Sequence, residues 1–253
     1  GAMVFGNPGK ERIALNEISL WSGGKQDADR EDAHSHLKSI QSLLLEGRNR
    51  EAQDLLQKHF VSRGVGSGYG AGAKVKYGCY QTLGDLIIEW ADSAKQTTAY
   101  SRRLNLEEAK VTTSFRRNGS EITEEVFADF NQDIIWVRIT SSKSNSISVR
   151  FSLARKENAT VSVADNRIVL TGQLPSGDDP GMKFAAIADV IPEGGTMSTN
   201  EKSIHVKNAT SVVLKISAAT NYDWYNGTLT DEGPLENADT LMRRSEGIDF
   251  ETA

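Results

Sequence analysis

Ile147-Ser148-Val149-Arg150-Phe151-Ser152-Leu153-Ala154 alternates an apolar residue with a small or polar one over its whole length. Side chains along a strand point to opposite faces with a period of two, so this run describes a strand with one face in a core. The same period recurs between about Leu83 and Ala219, in Ala109, Val111, Thr113 and Phe115, in Ile135, Val137 and Ile139, and in Val212, Leu214 and Ile216. Turn residues separate the runs. Asn118-Gly119 is the strongest hairpin signal, because a type I′ turn needs positive φ at both central residues. Asp165-Asn166, Glu193-Gly194-Gly195 and Asn208-Ala209 are weaker signals of the same kind. Strands at roughly even spacing, each with one apolar face, predict an antiparallel β-sandwich.

Outward from that centre the pattern changes twice. Towards the start, Met3-Val4-Phe5 precedes a Gly6-Asn7-Pro8-Gly9 turn and an apolar strand ending at Leu15, so the chain reads as cut from something longer. Residues 27–60 carry apolar side chains at spacings of three and four: Leu37, Ile40 and Leu44, then Ala52, Leu55, Leu56, His59 and Phe60. Gly47 divides them, which predicts a helical hairpin with an apolar seam. Residues 64–73 alternate glycine with small residues and read as a mobile loop. After Asn221 the chain turns polar and acidic, with a short helical pattern from Ala238 to Arg244 and too few apolar residues to fold alone. The expected organisation is therefore a β-domain over 1–224, with a helical insertion at 27–60 and a glycine loop at 64–73, followed by a linker at 225–253.

Composition excludes several classes. Of 253 residues, 38% are hydrophobic and 25% charged, and the net charge is −5, which suits a large buried core and not a phosphate-binding surface. No apolar stretch approaches the ~18 residues of a membrane helix. Cys79 is the one cysteine, so an internal disulfide or a cysteine-ligated zinc site is ruled out. Neither a nucleic-acid nor a membrane partner is expected.

The candidate chemistry is sparse. Asp27-Ala28-Asp29-Arg30-Glu31-Asp32-Ala33-His34-Ser35-His36 gathers carboxylates and two histidines, but no calcium-loop register fits it. Acidic residues at the positive end of a helix explain it without a metal, and neither metal nor cofactor is expected. The glycine loop matches no phosphate-binding fingerprint. Cys79 reads as a small buried hydrophobe, His205 as an outward-facing surface residue and His59 as a packed one. There is no G-x-S-x-G. Four N-x-[ST] sequons, at Asn118, Asn158, Asn208 and Asn226, would matter only in a eukaryotic secretory host. Two segments combine an aromatic platform with amide and carboxylate groups at a strand end, as sugar recognition requires: Asn16–Gly23, with Glu17 and Trp21, and Thr220–Trp224, with Asn221 and Tyr222. Asn16–Gly23 and Thr220–Tyr225 are expected to lie close together on the side where the chain leaves the domain.

The order of motifs resembles the N-terminal domain of glycoside hydrolase family 95, the α-L-fucosidase and α-L-galactosidase family. Gly1-Ala2-Met3-Val4-Phe5-Gly6 is similar to the end of that family's G-N-G-R-L-G-A-M-V-F-G. Leu15-Asn16-Glu17-Ile18-Ser19-Leu20-Trp21-Ser22-Gly23 is similar to its L-N-E-x-x-L-W-S-G. Tyr80-Gln81-Thr82-Leu83-Gly84-Asp85-Leu86 follows its Y-Q-P-L-G-D-L, with Thr82 in place of proline. Tyr100–Leu106 and Glu125–Ala128 continue in family order, and the likeness runs to about residue 224. It implies a β-supersandwich that leans on an (α/α)6 barrel, where the family keeps its general acid and its Asn/Asp base. No residue here corresponds to those groups, so no catalytic residue is expected. The resemblance implies a non-catalytic domain of an inverting exo-glycosidase for terminal α-L-fucose or α-L-galactose. It further implies a secreted or periplasmic, bacterial-type parent that meets its oligosaccharide through the barrel. Asn16, Glu17, Trp21, Asn221 and Tyr222 are the substrate- or barrel-facing candidates. The competing expectations are a stand-alone carbohydrate-binding module, stacking sugar on Trp21, Trp90, Trp136 or Trp224, and a pure interaction domain.

Overall fold

The computed structural model describes residues 1–23, 29–62, 78–91, 97–176 and 179–253. The glycine loop at 64–73 lies outside the described residues, as do Asp27 and Ala28 of the acidic stretch. The chain divides into two compact units, one of Gly1–Trp21, Tyr80–Leu174 and Met182–Ala253, the other of Ser22–Cys79 with Pro175–Gly181.

The second unit holds α1 (Ala33–Leu45) and α2 (Asn49–His59), the expected hairpin. Gly47, at φ +75°, ends α1, and Arg48 N–H reaches back to Leu43 O at 2.9 Å. The seam is narrower than the spacing predicts. Ile40 and Ala52 are buried, whereas Leu37, Leu44, Leu56 and Phe60 stay partly exposed. Two helices side by side offer each other only one face, and the flanking positions of each apolar stripe remain at its rim.

The β-strands follow in chain order: β1 (Ala2–Val4), β2 (Lys10–Leu15), β3 (Gly84–Trp90), β4 (Thr97–Asn105), β5 (Lys110–Arg117), β6 (Ser120–Asp129), β7 (Ile134–Ser141), β8 (Ile147–Ala154), β9 (Ala159–Ala164), β10 (Arg167–Ser176), β11 (Asp179–Glu193), β12 (Thr196–Thr199), β13 (Ile204–Ala209) and β14 (Ser211–Thr220). They form a six-stranded sheet, β1-β2-β3-β8-β13-β12, and an eight-stranded sheet, β4-β5-β6-β7-β14-β11-β10-β9. Their inner faces share one core. Ile147, Val149, Phe151 and Leu153 of β8 meet Ile135, Val137 and Ile139 of β7 and Val212, Leu214 and Ile216 of β14 in a single buried cluster. The alternation of β8 is thus that of a half-buried strand, as read. In β5 it begins at Val111, since Ala109 is an exposed turn residue at φ +49°.

The turn signals divide into two kinds. Asn118 and Gly119, at φ +49° and +73°, close the β5–β6 hairpin, and Asp165, at φ +52°, closes β9–β10. Gly194 and Gly195, both at φ +70°, and Asn208, at φ +55°, close no hairpin. They stand where the chain leaves one sheet for the other, because Glu193 pairs with Ser211 of β14 and not with β12. A corner between sheets demands positive φ as much as a tight turn does, so the residue types alone could not separate the two.

Residues 225–253, expected to be a linker, are folded. A small hairpin, β15 (Tyr222–Asp223) with β16 (Thr228–Leu229), leads to α3 (Pro234–Arg244), which packs on β14. Ala238, Met242 and Phe250 bury against Ile134, Trp136 and Ile187 on the outer face of the larger sheet. Basic residues of that face hold the tail. Lys215 Nζ donates to Ser245 O at 2.6 Å and Ile248 O at 3.0 Å, and Arg167 bridges Asp189 and Asp239. The reason is legible in β7: Ile134-Ile135-Trp136-Val137 is apolar on both faces, so both faces need a cover.

Candidate functional site

The site begins where β2 ends. After Leu15 the chain makes a tight turn in which Glu17 Oε2 accepts the Ser19 N–H at 2.8 Å and the Ser19 hydroxyl at 2.6 Å. That turn drives Leu20 into the core and leaves Ile18 72% exposed. Ser19 Oγ lies 2.5 Å from Thr220 Oγ1, at the end of β14. The two segments singled out from sequence are therefore neighbours, 201 positions apart in the chain.

Between them opens a cavity of about 510 Å³, walled by Asn16, Glu17, Ser19, Thr220, Tyr222 and Trp224. Asp129, the last residue of β6, and Asp133, in the turn to β7, add carboxylates, and Leu241 closes one side from α3. Burial raises the Glu17 carboxyl above its ordinary value, more than its bonds to Ser19 lower it. The rim is apolar: Ile18, Phe130 at 93% and Trp224 at 62% exposure stand around the mouth. Such an arrangement can accept hydrogen bonds from hydroxyl or amide groups while large side chains cover the ligand's apolar parts.

Asn16, Glu17 and Tyr222 line this cavity, whereas Trp21 and Asn221 do not. Trp21 stands edge-on to Tyr80 at 5.8 Å, and the Tyr80 hydroxyl donates to Asn16 Oδ1 at 3.4 Å. The Asn221 amide is spent on backbone: Oδ1 accepts Lys183 N–H and Nδ2 donates to Thr230 O, both at 2.8 Å. It fixes the β15–β16 hairpin instead of facing a ligand. Asp223 does the same work nearer the tip, accepting the Tyr225 N–H at 2.8 Å and the Asn226 side-chain amide at 2.5 Å. These bonds, the Asn226 amide first, hold its carboxyl below the usual range. They present Trp224 and the fully exposed Tyr225 on an anchored turn. Sequence reading missed Asp129, Phe130 and Asp133; an isolated Phe130 in the polar run Asp129–Asp133 was the available signal.

Cys79 is exposed, not buried, because it lies ahead of β3 in a segment paired with Ser22. His205 sits on the outer sheet face as expected, its Nε2 3.0 Å from Ser203 Oγ. Burial, with Arg150 and Lys207 beside it, lowers its pKa. Among the described residues, Asp32, His36 and His59 form the grouping with the spacing of metal ligands.

The chain is 26% identical over 247 residues to "Alpha-L-fucosidase 2" of Arabidopsis thaliana, covering 88% of this chain and 28% of that protein. It is 26% identical over 246 residues to "Probable alpha-fucosidase A" of Aspergillus oryzae, covering 94% of this chain and 32% of that one. A protein with the same description from Aspergillus niger is 27% identical over 240 residues, covering 90% and 28%. The chain thus spans less than a third of the length of these plant and fungal relatives. A solved structure, "Putative kojibiose phosphorylase from human microbiome", aligns with a TM-score of 0.46 at 11% identity, over 66% of this chain and 25% of that one. The fucosidase names agree with the family 95 resemblance. Residues 1–225 match the profile described as "Glycosyl hydrolase family 65, N-terminal domain", and the chain belongs to that family of glycoside hydrolase N-terminal domains.

Proposed function

We propose that this chain is the non-catalytic N-terminal domain of an inverting exo-glycosidase acting on terminal α-L-fucose or α-L-galactose. Its cavity-bearing end then faces the (α/α)6 catalytic barrel. The supporting observation is the convergence of Asn16–Ser19 and Tyr222–Trp224 on one cavity with an exposed aromatic rim. Apolar surface left in water costs about 25 cal/mol per Å², and a contiguous patch of it marks a partner site. The relatives' names support fucose as the sugar, galactose rests on the family 95 resemblance, and secretion belongs to the same proposal.

The binding-module alternative has less support. Trp90 and Trp136 are buried in the two cores, so neither can stack a sugar. The exposed pairs meet edge-on, Trp21 with Tyr80 at 67° and Tyr222 with Trp224 at 84°, and make no flat platform. The test expresses residues 1–253 and the remainder of the parent as separate chains. Association and fucosidase activity on mixing are expected, with Trp224→Asp and Ile18→Asp each abolishing association. Oligosaccharide binding by residues 1–253 alone, unaffected by a barrel, would instead establish the binding module.

A further inference from the structure

The hairpin of α1 and α2 turns at Gly47, so the start of α1 and the end of α2 meet at its open end. Asp32 occupies the N-cap position of α1 but makes no side-chain cap. Its Oδ2 lies instead 3.8 Å from Nε2 of His36, one turn along α1, and 3.7 Å from Nδ1 of His59, the last residue of α2. The two imidazoles stack with centroids 3.5 Å apart and planes 22° from parallel. These distances exceed those of hydrogen bonds and are those of an ion pair once an imidazole is protonated, so Asp32 is the group on which both rings converge. One ligand atom from each lies within 4.8 Å of the others.

We propose that Asp32, His36 and His59 bind one zinc ion that clips the open end of the hairpin. Two imidazole nitrogens and a carboxylate oxygen form a borderline donor set, which suits zinc and not the all-oxygen preference of calcium or magnesium. Bonds of about 2.0–2.1 Å in a tetrahedron place ligand atoms about 3.4 Å apart. The Asp32–His36 and Asp32–His59 edges, at 3.8 and 3.7 Å, need little change, and the stacked imidazoles must turn so that both in-plane lone pairs meet the ion. Each imidazole offers its lone pair as the neutral tautomer, with the proton on its other nitrogen. Arg30 brings its guanidinium to Val61 O and Lys58 O at the same end, so the ligands stand on a frame that is already closed. The fourth position is left for water. The acidic stretch alone did not reveal this set, because its third ligand lies 27 positions beyond Asp32 on the other helix.

The test titrates zinc chloride into the intact chain at neutral pH and follows calorimetry and histidine ring proton NMR. One equivalent is expected to bind with micromolar affinity, moving the signals of two of the four histidines. Magnesium is expected to do neither. His36→Gln and His59→Gln should each weaken zinc binding about tenfold or more, and His34→Gln should not. Zinc binding that survives the His36→Gln/His59→Gln double variant, or NMR shifts at His34 or His205, would overturn the proposal, as would no binding at all. Should a variant fail to fold, the NMR assignment in the unaltered chain decides by itself.

Discussion

Glu124 is the residue whose chemistry most contradicts its place in the fold. It lies on the inward face of β6 with Ile122 and Val126, 4% exposed, where an alternating strand should carry an apolar side chain. Burial first, and then the nearby Glu11, push its carboxyl up to about 8. Between the unfolded value near 4.5 and about 8 the native chain holds a proton that the unfolded chain has released. Stability therefore falls as pH rises through that window, with a slope approaching about 1.4 kcal/mol per unit, and levels off above it. Denaturant melts from pH 5 to 9 should show this fall, and Glu124→Gln should flatten it and be the more stable protein at pH 9. A slope unchanged by Glu124→Gln would assign the pH dependence elsewhere. Asp223 makes the opposite case. Asp223→Ala removes the bonds that hold the Trp224–Tyr225 tip and should cost little stability, because those bonds are exposed to water. It should nonetheless weaken association with the rest of the parent, measured by the two-chain assay.

The strands were the most legible elements, because a half-buried strand writes its burial into every second residue. β8 and the inner faces of β7 and β14 follow that rule, and the Asn118-Gly119 hairpin follows from positive φ alone. The sheet crossings at Gly194-Gly195 and Asn208 were not legible, since local residue type fixes a backbone angle and not the partner strand. The tail failed for a different reason. Too few apolar residues to fold alone is true of α3, but Trp136 and Ile187 supply the other half of its core. Phe250 stands at that junction, edge-on to Trp136 at 6.3 Å and under the Arg138 guanidinium at 4.0 Å. Phe250→Ala should cost about 3–5 kcal/mol and shift Trp136 fluorescence to the red as water enters. A second element-level constraint sits in the Tyr80–Leu86 motif. Gly84 adopts φ +156°, and a Cβ there would come within 2.8 Å of Ala154 O on the paired strand. Gly84→Ala should thus destabilise by about 1–3 kcal/mol, read as a lowered denaturant midpoint at unchanged slope.

At the scale of the whole molecule, the site was half written in the sequence. The segments at Asn16 and Thr220 could be named from their aromatic, amide and carboxylate content, and their meeting follows from β2 and β14 ending at one side of the sandwich. Which side chains face the cavity was not readable, because Asn221 and Tyr222 are adjacent in sequence and opposite in role. The carboxylates gathered there, Glu17, Asp129 and Asp133, raise the question of whether the chain can hydrolyse a glycoside unaided. An inverting glycosidase needs an acid with a raised pKa and a base about 6.5–9.5 Å away that share a water and a sugar between them. Glu17 has the raised pKa, but its Oε2 is engaged by the backbone and hydroxyl of Ser19, which marks a carboxylate fixing a turn. General acid–base assistance and positioning each contribute orders of magnitude in rate. On the proposed function, residues 1–253 should release no nitrophenol from an aryl α-L-fucoside above the buffer rate, and the full-length parent should release it. Glu17→Gln in that parent should lower the stability of the docked domain and leave kcat within about tenfold, since a positioning carboxylate is being removed and not the acid. A loss of kcat of several orders of magnitude at unchanged folding would place Glu17 in the chemistry and end the non-catalytic reading.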